Sequence, residues 1–419
     1  MFGRKTATQA LVVGAGPVGL FAALQLARHG VDVAIIDSQW RTAARSYALA
    51  LHPSTLRQFD DVGLAEPLLA QGRRVDRVDY CDREGIQATL DFGRLSGKFS
   101  FVLVMPQHLL ETALENRLAE LGVDVMWSHR LVGLEPDVDG VKATIQRLAK
   151  ESTGYSVSST EWVVEKTLAS QTGFVVGADG HASAVRRLAG IGFEETGASQ
   201  RFAVFECTSE SEAKNRIQIV LEELSSGVYW PLPGNRFRWS FELTGEESVP
   251  ERAKRRLAVQ VGEASYPYLT AENFAQLLAE RAPWCDAEAG EIQWSVAVRF
   301  EHRLATEFGR GRISLLGDAA HLAGPIGVKS MNVGLEEATE LAERVAGVVK
   351  SAESTAAIGA FERERTSRWR QIASGGTRPA PGEPPADWIL QRADRLPACV
   401  PASGRDLEEL LEQMNLELR

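Results

Sequence analysis

Thr6 to Ala27 is a run of 22 residues without a charged side chain, preceded by Arg4 and Lys5. A segment of that length has only two uses: a membrane span, or a strand, a turn and a helix buried in succession. Its interior holds Gly14, Gly16, Pro17 and Gly19 together with Thr6, Thr8, Gln9 and Gln25, which suits neither a signal peptide nor an anchor. Ala10 to Val13 reads as a short buried parallel strand, and Val18 to Ala27 has apolar spacing suited to a helix. Between them lies Gly14-Ala15-Gly16-Pro17-Val18-Gly19. In such a strand-turn-helix the first glycine allows the tight turn, the second lets a pyrophosphate approach the backbone, and the third lets helix and strand pack closely. The helix N-terminus adds amides and partial positive charge. A second apolar strand, Val31 to Ile36, ends in Asp37, 18 positions after Gly19, where an acid accepts hydrogen bonds from ribose hydroxyls. A glycine-rich turn without a ligand is the alternative. Strand, helix, second strand and terminal acid together point instead to a dinucleotide, without separating FAD from NAD.

Composition sets outer bounds. A chain of 419 residues suggests two or three domains, and 44% hydrophobic with 24% charged residues is ordinary globular usage. The net charge of −10 gives no general attraction to nucleic acid or to an anionic membrane. Cys81, Cys207, Cys285 and Cys399 form no CxxC pair and the seven histidines show no ligand spacing, so neither a disulfide framework nor a metal site is expected. Reduced thiols in a cytoplasm fit best.

Two further stretches repeat the grammar of strand, small-residue turn and helix. Phe174-Val175-Val176 runs into Gly177-Ala178-Asp179-Gly180 and on to Arg186; Ile313 to Leu316 runs into Gly317-Asp318-Ala319-Ala320-His321, then Pro325-Ile326-Gly327 and an apolar-periodic stretch from Met331 to Val349. Taken singly, each is as well explained by an Asp capping the following helix. In this order with the first motif, the three resemble the single-component flavoprotein aromatic hydroxylases, the family of para-hydroxybenzoate hydroxylase. The resemblance spans nearly the whole chain.

It implies an α/β fold, α+β overall: a Rossmann-like FAD-binding domain with an inserted antiparallel-sheet substrate domain and a C-terminal helical tail. The expected boundaries are 1–75, 101–195 and 300–375 for the discontinuous FAD domain, 76–100 and 196–299 for the substrate sheet, and 376–419 for a linker and helix. By the same resemblance Gly14, Gly16, Pro17, Val18, Gly19 and Asp37 hold the adenosine half of non-covalent FAD. Asp318, with Gly317, contacts the ribityl and pyrophosphate region, Asp179 serves FAD and incoming NAD(P)H, and Gln107 contacts the flavin's chain. Pro325, Gly327, Met331 and Asn332 belong to the loop and helix start whose amides lie near the flavin pyrimidine edge. Arg45 falls where relatives carry arginines near FAD, although Tyr47 and Ser54 stand where many relatives have arginine.

The departure at Val328-Lys329-Ser330, where relatives read Gly-Gln-Gly, is larger. Valine and serine avoid positive φ, which predicts a stiffer loop, and Lys329 either adds positive charge near the reduced flavin or points into solvent. Segments 75–103 and 202–243 carry strand signals, with a hairpin around Val228 to Phe237, and Asp139-Gly140 marks another. Tyr229, Trp230, Phe237 and Trp239 line a pocket for a ring-shaped substrate or pack within the sheet. Ser403 and Asp406 read as a capping box before Leu407, Leu410, Leu411, Met414 and Leu418. His52 reads as a satisfied structural histidine, and no catalytic base is assigned.

The function implied is NAD(P)H-dependent hydroxylation of an aromatic or polyketide-like molecule by molecular oxygen through a C4a flavin peroxide, in a monomer or homodimer. A Baeyer-Villiger or epoxidising oxygenase on the same fold is the first alternative, and a non-catalytic flavin sensor is the alternative of another class. A flavin halogenase is disfavoured because its Trp-x-Trp-x-Ile-Pro signature is absent. At 419 residues there is little room for the extra C-terminal domain of larger relatives.

Overall fold

The computed structural model describes residues 7–40, 50–153, 159–209, 215–244, 269–285, 289–351, 354–374 and 376–418. The uncharged run is a strand, Ala7–Val13, and a helix, Pro17–Arg28. Twelve residues of helix span only about 18 Å at ~1.5 Å per residue. Among the described residues no helix is long and apolar enough to cross a membrane.

This first strand sits inside an eight-stranded sheet whose parallel core is, in order, Ile313–Leu315, Ser159–Gly177, Ala7–Val13, Val33–Ile36 and Val125–Met126. Its two faces are equally apolar, which is why the strand reads as a continuous hydrophobic run. Ala10 and Val12 face the first helix and the helices Gln107–Glu120 and Lys329–Ser351, while Leu11 and Val13 face a second cluster that includes Val185, Phe308 and Trp369. The Asp139-Gly140 turn joins His129–Pro136 to Val141–Thr153, an antiparallel arm on the long strand.

The second sheet has eight strands in the order His321–Leu322, Ala289–Ala305, Phe193–Ser209, Arg236–Glu242, Ser226–Leu232, Ile217–Leu221, Arg77–Asp82 and Gly85–Asp91. All its pairings are antiparallel except Ile217–Leu221 with Arg77–Asp82. Gly234 and Asn235 take positive φ at the tip of the expected hairpin. Side-chain alternation divides the aromatics between the two faces. Tyr229, Phe237 and Trp239 turn toward the helix Ala271–Arg281, with Trp239 stacked on Phe241 at 4.7 Å. Trp230 belongs to the opposite face, which packs on Ile326, Val328 and the C-terminal segment.

That C-terminal segment departs from the capping-box expectation. Ser403 precedes the helix Gly404–Glu412 but makes no side-chain cap bond; its hydroxyl donates to Glu336 Oε1 at 2.6 Å instead. Asp406 pairs with Arg57 at 2.6 Å, Trp388 Nε1 donates to Asp82 Oδ2 at 2.8 Å, and Arg392 donates to the Leu221 carbonyl at 2.8 Å. Leu410, Leu411 and Met414 are buried as their spacing predicts. The segment thus ties the second sheet to the helices Pro53–Asp61 and Lys329–Ser351.

Candidate cofactor site

Strand register brings the three motifs to one edge. Val13 is level with both Ile36 and Gly177, and Gly177 is level with Leu315. The chain therefore leaves the sheet at Gly14, Asp37, Ala178 and Leu316 side by side, at the carboxyl ends of the strands, where ligands bind in open parallel sheets.

The three glycines of the first turn are there for different reasons. Gly14 has φ +107°, and a Cβ on it would overlap the Ala178 carbonyl; a Cβ on Gly19 would overlap the Gly14 carbonyl. Protein packing alone demands both. A Cβ on Gly16 would meet nothing within 4 Å, so packing gives no reason for that glycine. Open space above a backbone at a helix N-terminus is what an approaching pyrophosphate needs. Pro17 opens the helix, and Val18 lies between Gly317 and Gly334, whose added Cβ atoms would come 3.1 and 3.0 Å from its Cγ2. Those two glycines let the third motif close on the first.

Asp37 accepts from Ala15 N through Oδ2 and from Gln39 N through Oδ1, both at 2.7 Å. It ties the glycine turn to the second strand, and a carboxylate's remaining lone pairs leave capacity for ribose hydroxyls. Asp318 is exposed to solvent, yet the protein around it pushes its carboxyl pKa up by desolvation, against the pull of His321 and His181. The residues at the pyrophosphate end thus fit FAD.

Asp179 behaves as a cap. It accepts from the Ser183 hydroxyl, from Ala184 N at 2.6 Å and from Val185 N at 3.1 Å, and burial raises its pKa. Arg186, which the motif reading passed over, donates to Ala319 O and His181 O at 2.7 Å and so joins the second motif to the third. Gln107 opens its helix and donates to Glu111 Oε1 at 2.7 Å. Arg45 lies outside the described residues.

The altered loop departs from one expectation. Val328 has φ +48°, so the backbone keeps the left-handed turn despite a β-branched residue, at a cost of about 1–3 kcal/mol. Burial of its side chain among Ile326, Val400 and the sheet offsets that cost. Lys329 does not point into solvent: it is buried and donates to the Ala402 carbonyl. Desolvation lowers its pKa to about 7, opposed by Glu336. A lysine lowered from 10.5 to about 7 on folding makes the folded state bind fewer protons between those values, so stability rises with pH there. We expect the stability of the wild type relative to Lys329→Met to rise from pH 7 to pH 9 by about 1–2 kcal/mol, read as the change in the gap between their melting temperatures.

The rest of the loop is committed to the protein. Gly327 has the Ala398 carbonyl where a Cβ would stand, and its own carbonyl lies 2.9 Å from His52 Nε2. His52 is buried with its pKa driven well down by desolvation, a neutral structural histidine. Asn332 accepts from His52 N and Thr55 Oγ1 at 2.8 and 2.9 Å and donates to Ala50 O and Val328 O at 3.0 and 2.8 Å. Its side chain braces the loop. Pro325 is half-buried, and Met331 packs against the cores of both sheets.

Beside this loop, the sheet face carries a polar chain that sequence reading missed. His302 Nε2 lies 3.0 Å from Gln200 Oε1, Gln200 Nε2 donates to Glu242 Oε1 at 2.9 Å, and Ser226 Oγ donates to Glu242 Oε2 at 2.6 Å. A Cβ on Gly324 would be 3.2 Å from both Gln200 Oε1 and His302 Cε1, so the chain begins at the loop. Phe202 and Phe300 meet edge to face at 5.6 Å, and Arg238 pairs with Glu206 at 2.7 Å beneath Trp294.

Comparison with known proteins agrees with this geometry. The family model described as FAD binding domain matches residues 7–375. The chain is 31% identical over 363 residues to 6-methylpretetramide 4-monooxygenase of Streptomyces rimosus, covering 85% of this chain and 59% of that protein's length. It is 26% identical to para-nitrophenol 4-monooxygenase of Pseudomonas sp. (strain WBC-3), over 87% of this chain and 84% of that one. The crystal structure of p-nitrophenol 4-monooxygenase from Pseudomonas putida DLL-E4 superposes with a TM-score of 0.73 at 20% identity, covering 99% of this chain and all of that one. This chain therefore belongs to the family whose model is described as FAD binding domain.

Proposed function

We propose that the chain is an FAD-dependent, NAD(P)H-consuming monooxygenase that adds one oxygen atom from O2 to an aromatic or polyketide-like small molecule. The observation that carries the reading is the vacant approach over Gly16 at the common edge of three turns. FAD held there supplies the redox and oxygen chemistry. The named activities of similar proteins, which include pentachlorophenol 4-monooxygenase and rifampicin monooxygenase, support an aromatic or polyketide-like substrate.

The protein's own part is placement. Gly14, Gly16, Gly19, Asp37 and Asp318 hold the dinucleotide, and Pro325 to Asn332 shape the flavin end. The face with Trp230, Trp294, Phe202 and Phe300 covers a ring and excludes water. His302, lowered in pKa by burial, stands at the loop as a neutral imidazole, and Gln200 ties its position to Glu242. Four cysteines, none of them in a disulfide, suit a reducing cytoplasm.

The test is a screen of aromatic and polyketide-like compounds for stimulated NAD(P)H oxidation by the FAD-loaded chain, with product mass measured. A compound that stimulates consumption and gains one oxygen supports the reading. Bound FAD that neither NADH nor NADPH reduces would overturn it.

A further inference from the structure

Glu111 is the most unusual acid near the cofactor edge. It is 2% exposed, on the buried face of Gln107–Glu120, one turn after Gln107. Its Oε1 accepts from Gln107 Nε2 at 2.7 Å, whereas its Oε2 is buried without a hydrogen-bond partner among the described residues. An ionised carboxylate left in that state is costly, and the charge of Asp37 adds to the cost. Gln107 and Asp37 are both expected to meet FAD, and Glu111 lies within their reach.

From this geometry we propose, on the reading that FAD occupies the edge, that Glu111 is a positioning residue for the dinucleotide. It holds the Gln107 amide in one orientation, and it does so as a neutral acid, so that FAD binds together with one proton on Glu111. Protonated, Glu111 keeps a carbonyl oxygen for Gln107 and adds no negative charge beside the pyrophosphate. Ionised, it opposes the two phosphate charges in a medium that screens poorly.

The groups around it leave this proton to Glu111. On its own helix Glu115 and the bond from Gln107 act on it, and from the second strand Asp37 does. The first helix, packed on the same face, has no titratable residue before Arg28 in its last turn, and Glu66 of the adjoining helix Ala65–Leu69 is exposed. Burial, the largest influence, raises the Glu111 pKa to about 7. Bound phosphate charge raises it further. FAD affinity is then highest below about pH 7 and falls as pH rises through that value.

The experiment measures FAD binding to the full chain stripped of flavin, by quenching of flavin fluorescence from pH 6 to 8.5. Calorimetry in two buffers of different ionisation enthalpy counts the protons taken up. For the wild type we expect Kd to rise about tenfold over that range, the limit of one linked proton being tenfold per pH unit. Net proton uptake is expected near pH 7.5. Glu111→Gln, which keeps the shape and the acceptor, should hold Kd within about twofold across the range and take up no proton. Gln107→Leu removes the bond that lowers the Glu111 pKa, so its affinity should be weaker overall with the inflection moved to higher pH. Equal pH profiles for wild type and Glu111→Gln would overturn the proposal. Absence of FAD binding by the wild type at every pH would overturn the cofactor reading itself.

Discussion

Gly19→Ala is expected to lower the stability of the flavin-free chain by about 3 kcal/mol or more and to abolish FAD binding. Gly16→Ala is expected to change flavin-free stability by less than about 1 kcal/mol, the weaker N-cap and the lower entropy of the unfolded chain opposing each other, while raising the FAD Kd about a hundredfold. The contrast follows from what a methyl group meets at each position. At Gly19 it would overlap the Gly14 carbonyl and press on Ala178 Cβ at 3.2 Å, so the first helix must lift from the strand that it packs against. The same displacement unseats Leu20, Phe21 and Leu24, all buried, and it disorganises the amides that face the cofactor. At Gly16 the backbone is extended, with φ −76° and ψ 178°, which any residue adopts, and the methyl group projects into open space. That space matters only to a ligand. Melting curves without flavin, paired with flavin titrations, separate the two roles. If Gly16→Ala bound FAD as tightly as the wild type, the pyrophosphate would not lie over that turn.

Glu337→Ala is expected to cost about 3–5 kcal/mol, the effect of removing one member of a buried polar cluster. Glu337 is fully buried. It holds His321 Nε2 at 2.8 Å through Oε2 and accepts from Trp369 Nε1 at 2.7 Å through Oε1, and the His321 ring stacks on Trp369 at 3.8 Å. Alanine strands both donors in a core that also contains Phe308, Val333 and Leu315. Glu337→Gln should lose less but not be silent. An amide that accepts from Trp369 turns its NH2 toward His321, whose Nε2 would then have to be unprotonated. The proton would move to Nδ1, which has no hydrogen-bond partner among the described residues. Since His321 follows the Asp318 turn, chemical denaturation of all three proteins should show the order wild type, Gln, Ala, with the flavin affinity of both variants reduced.

How much of this was legible in the sequence depends on range. The glycine turn, its flanking strand and helix, and the two later strand-turn-helix stretches are local patterns in which residue types dictate backbone geometry, and the fold follows them. The site residues were legible as positions, less so as contacts. Asp179 and Asn332 sit where the motifs place them, but their side chains are occupied by a helix cap and a loop brace. Glu111 left an i,i+4 signal with Gln107 on one helix face, and that signal was open to reading. The chain His302, Gln200 and Glu242 left none: its members are 102 and 42 residues apart, and strand pairing alone brings them together. The burial of Lys329 and the partner of Ser403 were hidden for a related reason. Whether a lysine at a loop faces water depends on what covers the loop, and here a segment some 70 residues later does so.

The measurement closest to the central claim is the origin of the oxygen in the product. The FAD-loaded chain is supplied with NADPH or NADH, a compound that stimulates its consumption, and 18O2, and the product is weighed by mass spectrometry. One 18O atom gained per product molecule, with none taken from labelled water, is the predicted result. Oxidation of the nicotinamide that yields only hydrogen peroxide with every stimulating compound, or product oxygen drawn from water, would contradict it.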